Sequence, residues 1–437
     1  MAEISTNVKL FGAVGDGITD DTQAVKDAIL SMSDGGTLFF PNGSYLISET
    51  LTITDNIAIS GVGFGSVIVK SPTLQNNIFM YLSNNTSMSN IKVDGNYRNM
   101  DSGINDVTLG NLIMPNGDNI KIHDVHLYDS DASLIASRYC RNVIISDLIL
   151  DEFQDHAVYF SSDCRDVKVD NFIAKSTSGG DGLKVRNGGH NVWFTNGYLK
   201  CQRHFIVIGS EANANDEVYI DNVNGECTKA FLILSSTDVT KINKLVRVSN
   251  CTVTNVGTEG YRAILNAFGI VSGSTNVLAI SNCRLVGFNG FGGGGGGNAN
   301  GSLMQIDNCY YKAKSNATGS TLDVNGFKEV DVKGSTFVGR EDTLLQFITD
   351  IGQAFVKMQN NTVENYDTLF KCGSRTTFLT YKDVLVMGTT YKNVLRLVEA
   401  SASDGEPKKN FYDYINVGTL PNPNFFSADY VGVLVTK

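Results

Sequence analysis

A short extended unit recurs along this chain at a spacing near two dozen residues, and no other feature limits the possible fold as strongly. It reads IHDVHL, ISDLIL, VDNFIA, FTNGYL, IDNVNG, VSNCTV, ISNCRL, IDNCYY and MQNNTV: an apolar residue, one polar residue, Asn or Asp, then a second short strand. Anchored on that Asn or Asp, the copies fall at Asp124, Asp147, Asn171, Asn196, Asn222, Asn250, Asn282, Asn308 and Asn360, and Gly334 of VKGSTF fills the gap before the last. Successive separations are 23, 24, 25, 26, 28, 32, 26, 26 and 26. Earlier copies lie at Gly61 in ISGVGF and Asn90 in MSNIKV. Asn and Asp tolerate left-handed backbone and bond their own turn, so each anchor marks a bend between strands and carries structure rather than chemistry.

A drifting period with β-type alternation fits one turn of a right-handed parallel β-helix, an all-β solenoid. Leucine-rich repeats need a fixed leucine ladder, and helical repeats need a 3.6-residue apolar period; neither is present. No coil can bury its own apolar face, so coils stack and share a core, and one solenoid can absorb all 437 residues. The expected division is residues 1–36 as an N-terminal segment with a capping helix, 37–400 as the β-helix, and 401–437 as a C-terminal cap or oligomer contact. For the helix, Asp20 with Gln23 three residues on forms a capping arrangement, and Val25, Ala28, Ile29 and Met32 share one apolar face. The glycine run Gly292–Gly297 reads as a turn insertion between coils, and Tyr97–Asn111 lengthens its coil enough to wall a groove.

Composition narrows the partners. Hydrophobic residues at 42% against 18% charged describe folded protein. A net charge of −10 argues against a nucleic-acid partner, since phosphate binding needs a concentrated basic field. No apolar run reaches about 18 residues, so no membrane insertion is expected. The opening MAEISTNVKLFGAVGDG lacks a basic-then-apolar leader, which points to synthesis in a cytoplasm without a signal peptide. The eight cysteines form no CxxC pair, so no zinc site is expected, and their recurring gaps of 24 and 26 read as buried, reduced, stacked thiols. GGDGLKV lacks the Lys-Ser/Thr of a phosphate loop, and no compact acidic cluster supports calcium. No cofactor and no metal are therefore expected.

The opening NVKLFGAVGDGITDDTQAVKDAI, followed by GGTLFFPNGSYLIS, resembles that of the pectate-lyase-like β-helix superfamily, and most closely the branch of bacteriophage tailspikes and related appendage proteins. The resemblance covers about the first 50 residues as a specific signal, and the coil repeat carries it to roughly residue 400. It implies a homotrimer on a virion tail, acting outside the cell on a bacterial surface polysaccharide as a depolymerase.

The second strand of each coil also aligns: DASLIASR (131–138), DHAVYFSS (155–162), GDGLKVRN (180–187), RHFIVIGS (203–210), KAFLILSS (229–236) and YRAILNAF (261–268). Equivalent positions on adjacent coils stack about 4.8 Å apart. One column then reads Ala132, His156, Asp181, His204, Ala230, Arg262, and the column before it Asp131, Asp155, Gly180, Arg203, Lys229, Tyr261. Val158, Phe160, Leu183, Val185, Ile206 and Ile208 point inward, whereas Tyr159 and Lys184 point outward, with Arg186 just beyond. The candidate catalytic residues are Asp181, Asp155, His156, His204 and Tyr159; the candidate substrate-binding residues are Lys184, Arg186, Arg203, Arg262 and the single tryptophan, Trp193. Concentrated cations on an acidic protein suggest an anionic sugar, although an ordinary solvated face of a solenoid carries mixed charges too, and Trp193 has an equally good role packing under a loop.

Two chemistries fit. A glycoside hydrolase needs a carboxyl acid and a carboxylate partner, about 5 Å apart if retaining and roughly 6.5–9.5 Å if inverting. Asp181 among its cations suits the base and a less compensated Asp155 the acid, with Asp151, Glu152 and Glu211 as further carboxylates. A lyase cleaving a uronate glycan by β-elimination instead needs a cation on the uronate carboxylate and a base for the proton beside it: Lys184, Arg186 or Arg203 with His156, His204 or Tyr159. Hydrolysis is taken first and elimination as the alternative. A non-catalytic adhesin or structural spike on the same fold is the third reading.

Overall fold

A computed structural model describes residues 5–434 except 75–78, 100–109, 211, 236–242, 267–274, 293–302, 319, 324–327, 341–345, 350–354, 373–383, 401–410 and 415–432. The expectations for the Tyr97–Asn111 insertion, the glycine run, Glu211 and the C-terminal segment fall wholly or largely outside the described residues. The chain divides into two compact units, residues 1–207 and 208–437.

The chain is a parallel β-helix, with the hand that crossovers between parallel strands adopt. In the first unit one parallel ladder climbs from Ser5–Asn7 through Gly36–Phe40, Ile57–Gly61, Ser87–Asp94, Asp118–Ser130, Ile135–Phe153 and His156–Lys175 to His190–Cys201. In the second unit an equivalent ladder runs from Glu217–Cys227 through Asn243–Ser249, Thr275–Ser281, Leu303–Asp307, Glu329–Lys333 and Phe355–Gln359 to Val384–Met387.

The anchors do what their chemistry suggests. Asn90, Asp124, Asp147, Asn171, Asn196, Asn222, Asn250, Asn282, Asn308 and Asn360 all have φ between 47° and 56°, and Gly334 and Gly388 take the same bend at 59° and 63°. Gly61 is the exception: its φ is not positive, and it is required by close approach, since a Cβ would lie 2.6 Å from the Asn90 carbonyl. A second left-handed corner, unmarked by the repeat, follows Asn56, Asn85, Asn119, Asn142, Asp166 and Asn191. Its side-chain amides donate coil to coil, Asn85 to Asn56 at 3.1 Å, Asn119 to Asn85 at 3.0 Å and Asn142 to Asn119 at 2.7 Å.

Between the corners, alternate residues fill the interior. Val158, Phe160, Leu183, Val185 and Ile206 are fully buried, as the inward phase requires. Seven of the eight cysteines are free and buried, with Cys140 and Cys164 in register on adjacent coils. Burial pushes the Cys201 thiol up to about 12, so it stays protonated.

Near the N-terminus, Thr22–Leu30 is helical and buries Val25, Ala28 and Ile29, with Met32 just past its end. The expected reciprocal cap forms by half. Asp20 accepts the Thr22 N–H at 3.0 Å, but Gln23 turns forward to Asp27 at 2.7 Å instead of reaching back. Asp21 is engaged elsewhere, accepting the Val14 and Gly15 N–H groups.

Candidate functional site

Seven of the predicted residues converge within the first unit: Asp155, His156, Tyr159, Asp181, Lys184, Arg203 and His204. On the strands His156–Lys175 and Asp181–Arg186, His156 stands directly opposite Asp181 and Tyr159 opposite Lys184. Two glycines put Asp181 there. Gly180, at φ +84°, lies where a Cβ would be 2.6 Å from the Asp155 carbonyl, and a Cβ on Gly182 would meet Leu199 at 2.2 Å and the Phe205 carbonyl at 2.5 Å. The GGDG sequence is thus a device for close packing around one carboxylate. The preceding turn is braced from the coil below, where Glu152 accepts from the Thr177 N–H and from the Thr177 and Ser178 hydroxyls.

His156 is the hub. It is 2% exposed, and its Nδ1 lies 2.7 Å from Asp155 Oδ2 and 3.2 Å from Ser133 Oγ. Its Nε2 lies 3.0 Å from Lys184 Nζ and 3.6 Å from Asp181 Oδ2. An ammonium has only donors, so Nε2 must accept from Lys184, and the tautomer assigned from this network carries its proton on Nδ1, facing Asp155. The imidazole is therefore held with a basic lone pair under a lysine, oriented by a carboxylate behind it. Tyr159 flanks it with ring centroids 5.1 Å apart, and Lys184 also sits 5.0 Å from the Tyr159 ring centroid.

Asp181, 4% exposed, accepts the His204 backbone N–H at 3.2 Å and pairs with Arg203 Nε at 3.5 Å. Burial pushes its carboxyl upward, but the His156 ring, which in its protonated form donates to Asp181 and adds charge, together with the charges of Arg203 and His204, outweighs that and holds it below the usual carboxylate range. His156 and Asp181 thus lie beneath a surface made by half-buried Asp155, Tyr159, Lys184 and His204 and by exposed Arg203.

The alignment at the lowest coil needs correction by one residue. Ile135, not Leu134, pairs with Val158, so Ser133 rather than Ala132 is the neighbour of His156. Because strand side chains alternate with period two, that slip reverses the facing of every residue in the segment. Asp131 consequently leaves the surface column and turns inward to Lys70, whose Nζ lies 3.3 Å from Oδ1. The expectation of a poorly compensated Asp155 also changes, since its carboxylate is the partner of His156.

The other candidates lie apart from this hub. Arg186 is half-buried on the same strand as Lys184. Arg262, in the second unit, donates to the Gly292 carbonyl at 3.0 Å and to Ser320 Oγ at 2.8 Å, which gives its guanidinium a structural task. Trp193, 36% exposed, points outward from a different strand of its coil, in register with Lys168, and donates from Nε1 to Asn191 at 2.6 Å. Sequence reasoning missed Ser133 and the bracing role of Glu152; the only signal for Ser133 would have been the strand register.

Comparison with known proteins agrees with this architecture. Residues 5–254 match the family model described as rhamnogalacturonase A/epimerase, pectate lyase-like. The chain is 36% identical over 115 residues to mannuronan C5-epimerase AlgE1 of Azotobacter vinelandii, a stretch covering 22% of this chain and 8% of that protein. It is 24% identical over 204 residues to the preneck appendage protein of Bacillus phage PZA, covering 45% of this chain and 20% of that one. The chain therefore spans well under two thirds of the length of these curated relatives. The tailspike protein of E. coli bacteriophage HK620, solved in complex with a pentasaccharide, superposes with a TM-score of 0.56 at 14% identity, covering 89% of this chain and 80% of that chain.

Proposed function

The chain belongs to the pectate-lyase-like rhamnogalacturonase A/epimerase family, and from that premise we propose that it acts on a uronate-containing bacterial surface polysaccharide by taking the proton beside a sugar carboxylate. The observation that carries this reading is the buried imidazole of His156, held by Asp155 with its Nε2 lone pair turned to Lys184. A uronate carboxylate docking on Lys184 and Arg203 would draw the ammonium away from Nε2 and free that lone pair beside the sugar. The base then takes the proton on C5, and the electron pair spreads into the neutralised carboxylate. If the bond from C4 to its glycosidic oxygen breaks, the pair forms a C4=C5 double bond, the leaving oxygen takes a proton, and the chain is cut. If a proton returns to C5 from the other side, for which Tyr159 is the candidate donor, the sugar is epimerised and the chain stays whole.

Hydrolysis is less well supported at this patch, because it requires one carboxyl that keeps its proton. Asp181 is held on the ionised side and Asp155 is committed to His156. The likeness to a mannuronan epimerase supports uronate chemistry, and the likeness to a phage appendage protein supports placement on a virion tail; assembly as a homotrimer is part of the same proposal.

The test is incubation with mannuronan and a panel of acidic capsular polysaccharides in deuterated water. The expected result is either the ultraviolet absorbance of an unsaturated uronate, whose C5 keeps no hydrogen, or deuterium at C5 with a changed ring configuration by NMR. His156→Gln should lower that rate by about 10²–10⁴. New reducing ends without unsaturation or deuterium would mean hydrolysis, and binding without any chemical change would mean an adhesin; either overturns the proton-abstraction reading.

A further inference from the structure

We propose that Lys175, Tyr198 and Lys200 form an additional binding subsite for the polyanionic chain, around the corner of the coil from His156 and Asp181; this rests on the acidic-polysaccharide reading above. These residues lie on the strands that precede the turns leading into the site. Register places Asp151, Lys175 and Lys200 in one outward column and Ile149, Ile173 and Tyr198 in the column beside it. Going up the first column the charge changes from a carboxylate, itself bonded to His126 at 3.0 Å, to two successive lysines. Lys175 is exposed and Lys200 half-buried, and Tyr198 is 38% exposed with the Lys175 ammonium 5.8 Å from its ring centroid. Ile173, at 44% exposed, adds apolar surface beside the ring.

Each lysine is tied to the proposed site by a short, fixed turn. Between Lys175 and Asp181 the turn is braced by Glu152 and by Ser176 donating to the Phe153 carbonyl at 2.9 Å. Between Lys200 and Arg203 the buried Cys201 thiol donates to the His204 carbonyl at 3.3 Å. Lys175 and Lys200 therefore stand on successive coils, a rise of ~4.8 Å, and Arg203 continues from Lys200 around the corner of the same coil. A linear polyuronate carries one carboxylate per sugar ring, a repeat comparable to that rise, so successive carboxylates can meet successive coils. A ring whose carboxylate sits on Lys175 is brought against Tyr198, which offers an aromatic face to the apolar side of a pyranose.

The probe is mannuronan of defined chain length, with binding followed by calorimetry at low and moderate salt. Each surface charge contact contributes about 0.5 kcal/mol, so Lys175→Ala/Lys200→Ala should weaken binding roughly 5-fold and flatten its salt dependence, and Tyr198→Ala should weaken it further. Lys175→Arg/Lys200→Arg should restore affinity, and Lys121→Ala, an exposed lysine on another strand, should leave it unchanged. Melting curves check that the variants fold. If wild type binds and the Lys175/Lys200 and Tyr198 variants bind equally well, the subsite is wrong while the acidic-polysaccharide reading stands. If wild type binds no polyuronate at any salt, that reading fails and takes the subsite with it.

Discussion

Replacing Asp181 with Asn tests the electrostatics of the site without using a substrate. The substitution keeps size and the acceptor for the His204 N–H, but removes a buried negative charge 3.6 Å from His156 and 3.5 Å from Arg203. Loss of a charged hydrogen-bonding partner at a buried site costs about 1.5–3 kcal/mol at neutral pH. The pH dependence follows from the lowered pKa of Asp181. A carboxyl whose folded pKa lies below its unfolded value of about 3.9 contributes stability that is fully present above that value and lost as pH falls through the folded pKa. Urea unfolding of wild type and Asp181→Asn between pH 7 and pH 3 should therefore show a deficit that is constant from pH 7 to pH 5 and shrinks below about pH 4. A deficit equally large at pH 3, or none at pH 7, would refute the account of Asp181 as a carboxylate held ionised by its neighbours.

Lys70 and Asp131 make the second test: Lys70 is fully buried, and burial outweighs the attraction of Lys70 in pushing the Asp131 carboxyl up. Lys70→Met alone should cost about 3–5 kcal/mol in chemical denaturation, whereas Lys70→Met/Asp131→Leu should recover most of that loss, because the pair is a cost the fold carries. The buried thiols of Cys140, Cys164, Cys201, Cys227, Cys251, Cys283 and Cys309 should resist a thiol reagent in native protein and react on unfolding; rapid native labelling of most of them would contradict the stacked interior. Sedimentation at micromolar concentration should give a mass near three chains, and a clean monomer would remove the trimer proposal.

The repeat was legible in the sequence because its signal is local. A left-handed bend strongly favours Asn, Asp or Gly, so Asp124 through Asn360 declared the coil period without any tertiary information. The inward phase of Val158, Leu183 and Ile206 was equally readable from alternation. The second corner, Asn56 through Asn191, uses the same chemistry yet went unnoticed, because no fixed strand pattern surrounds it. The composition of the site was also visible: His156, Asp181, Tyr159, Lys184 and Arg203 were all singled out. Their roles were not. Register between coils depends on how many residues each turn consumes, and a spacing of 23 rather than 24 between Ile135 and Val158, made up only past Ser137, turned Asp131 inward to Lys70 and brought Ser133 to His156. Burial is a property of the stack rather than of any one coil, so only the tertiary structure decided that His156 and Asp181 lie beneath Lys184 and Arg203, and that Asp155 orients an imidazole.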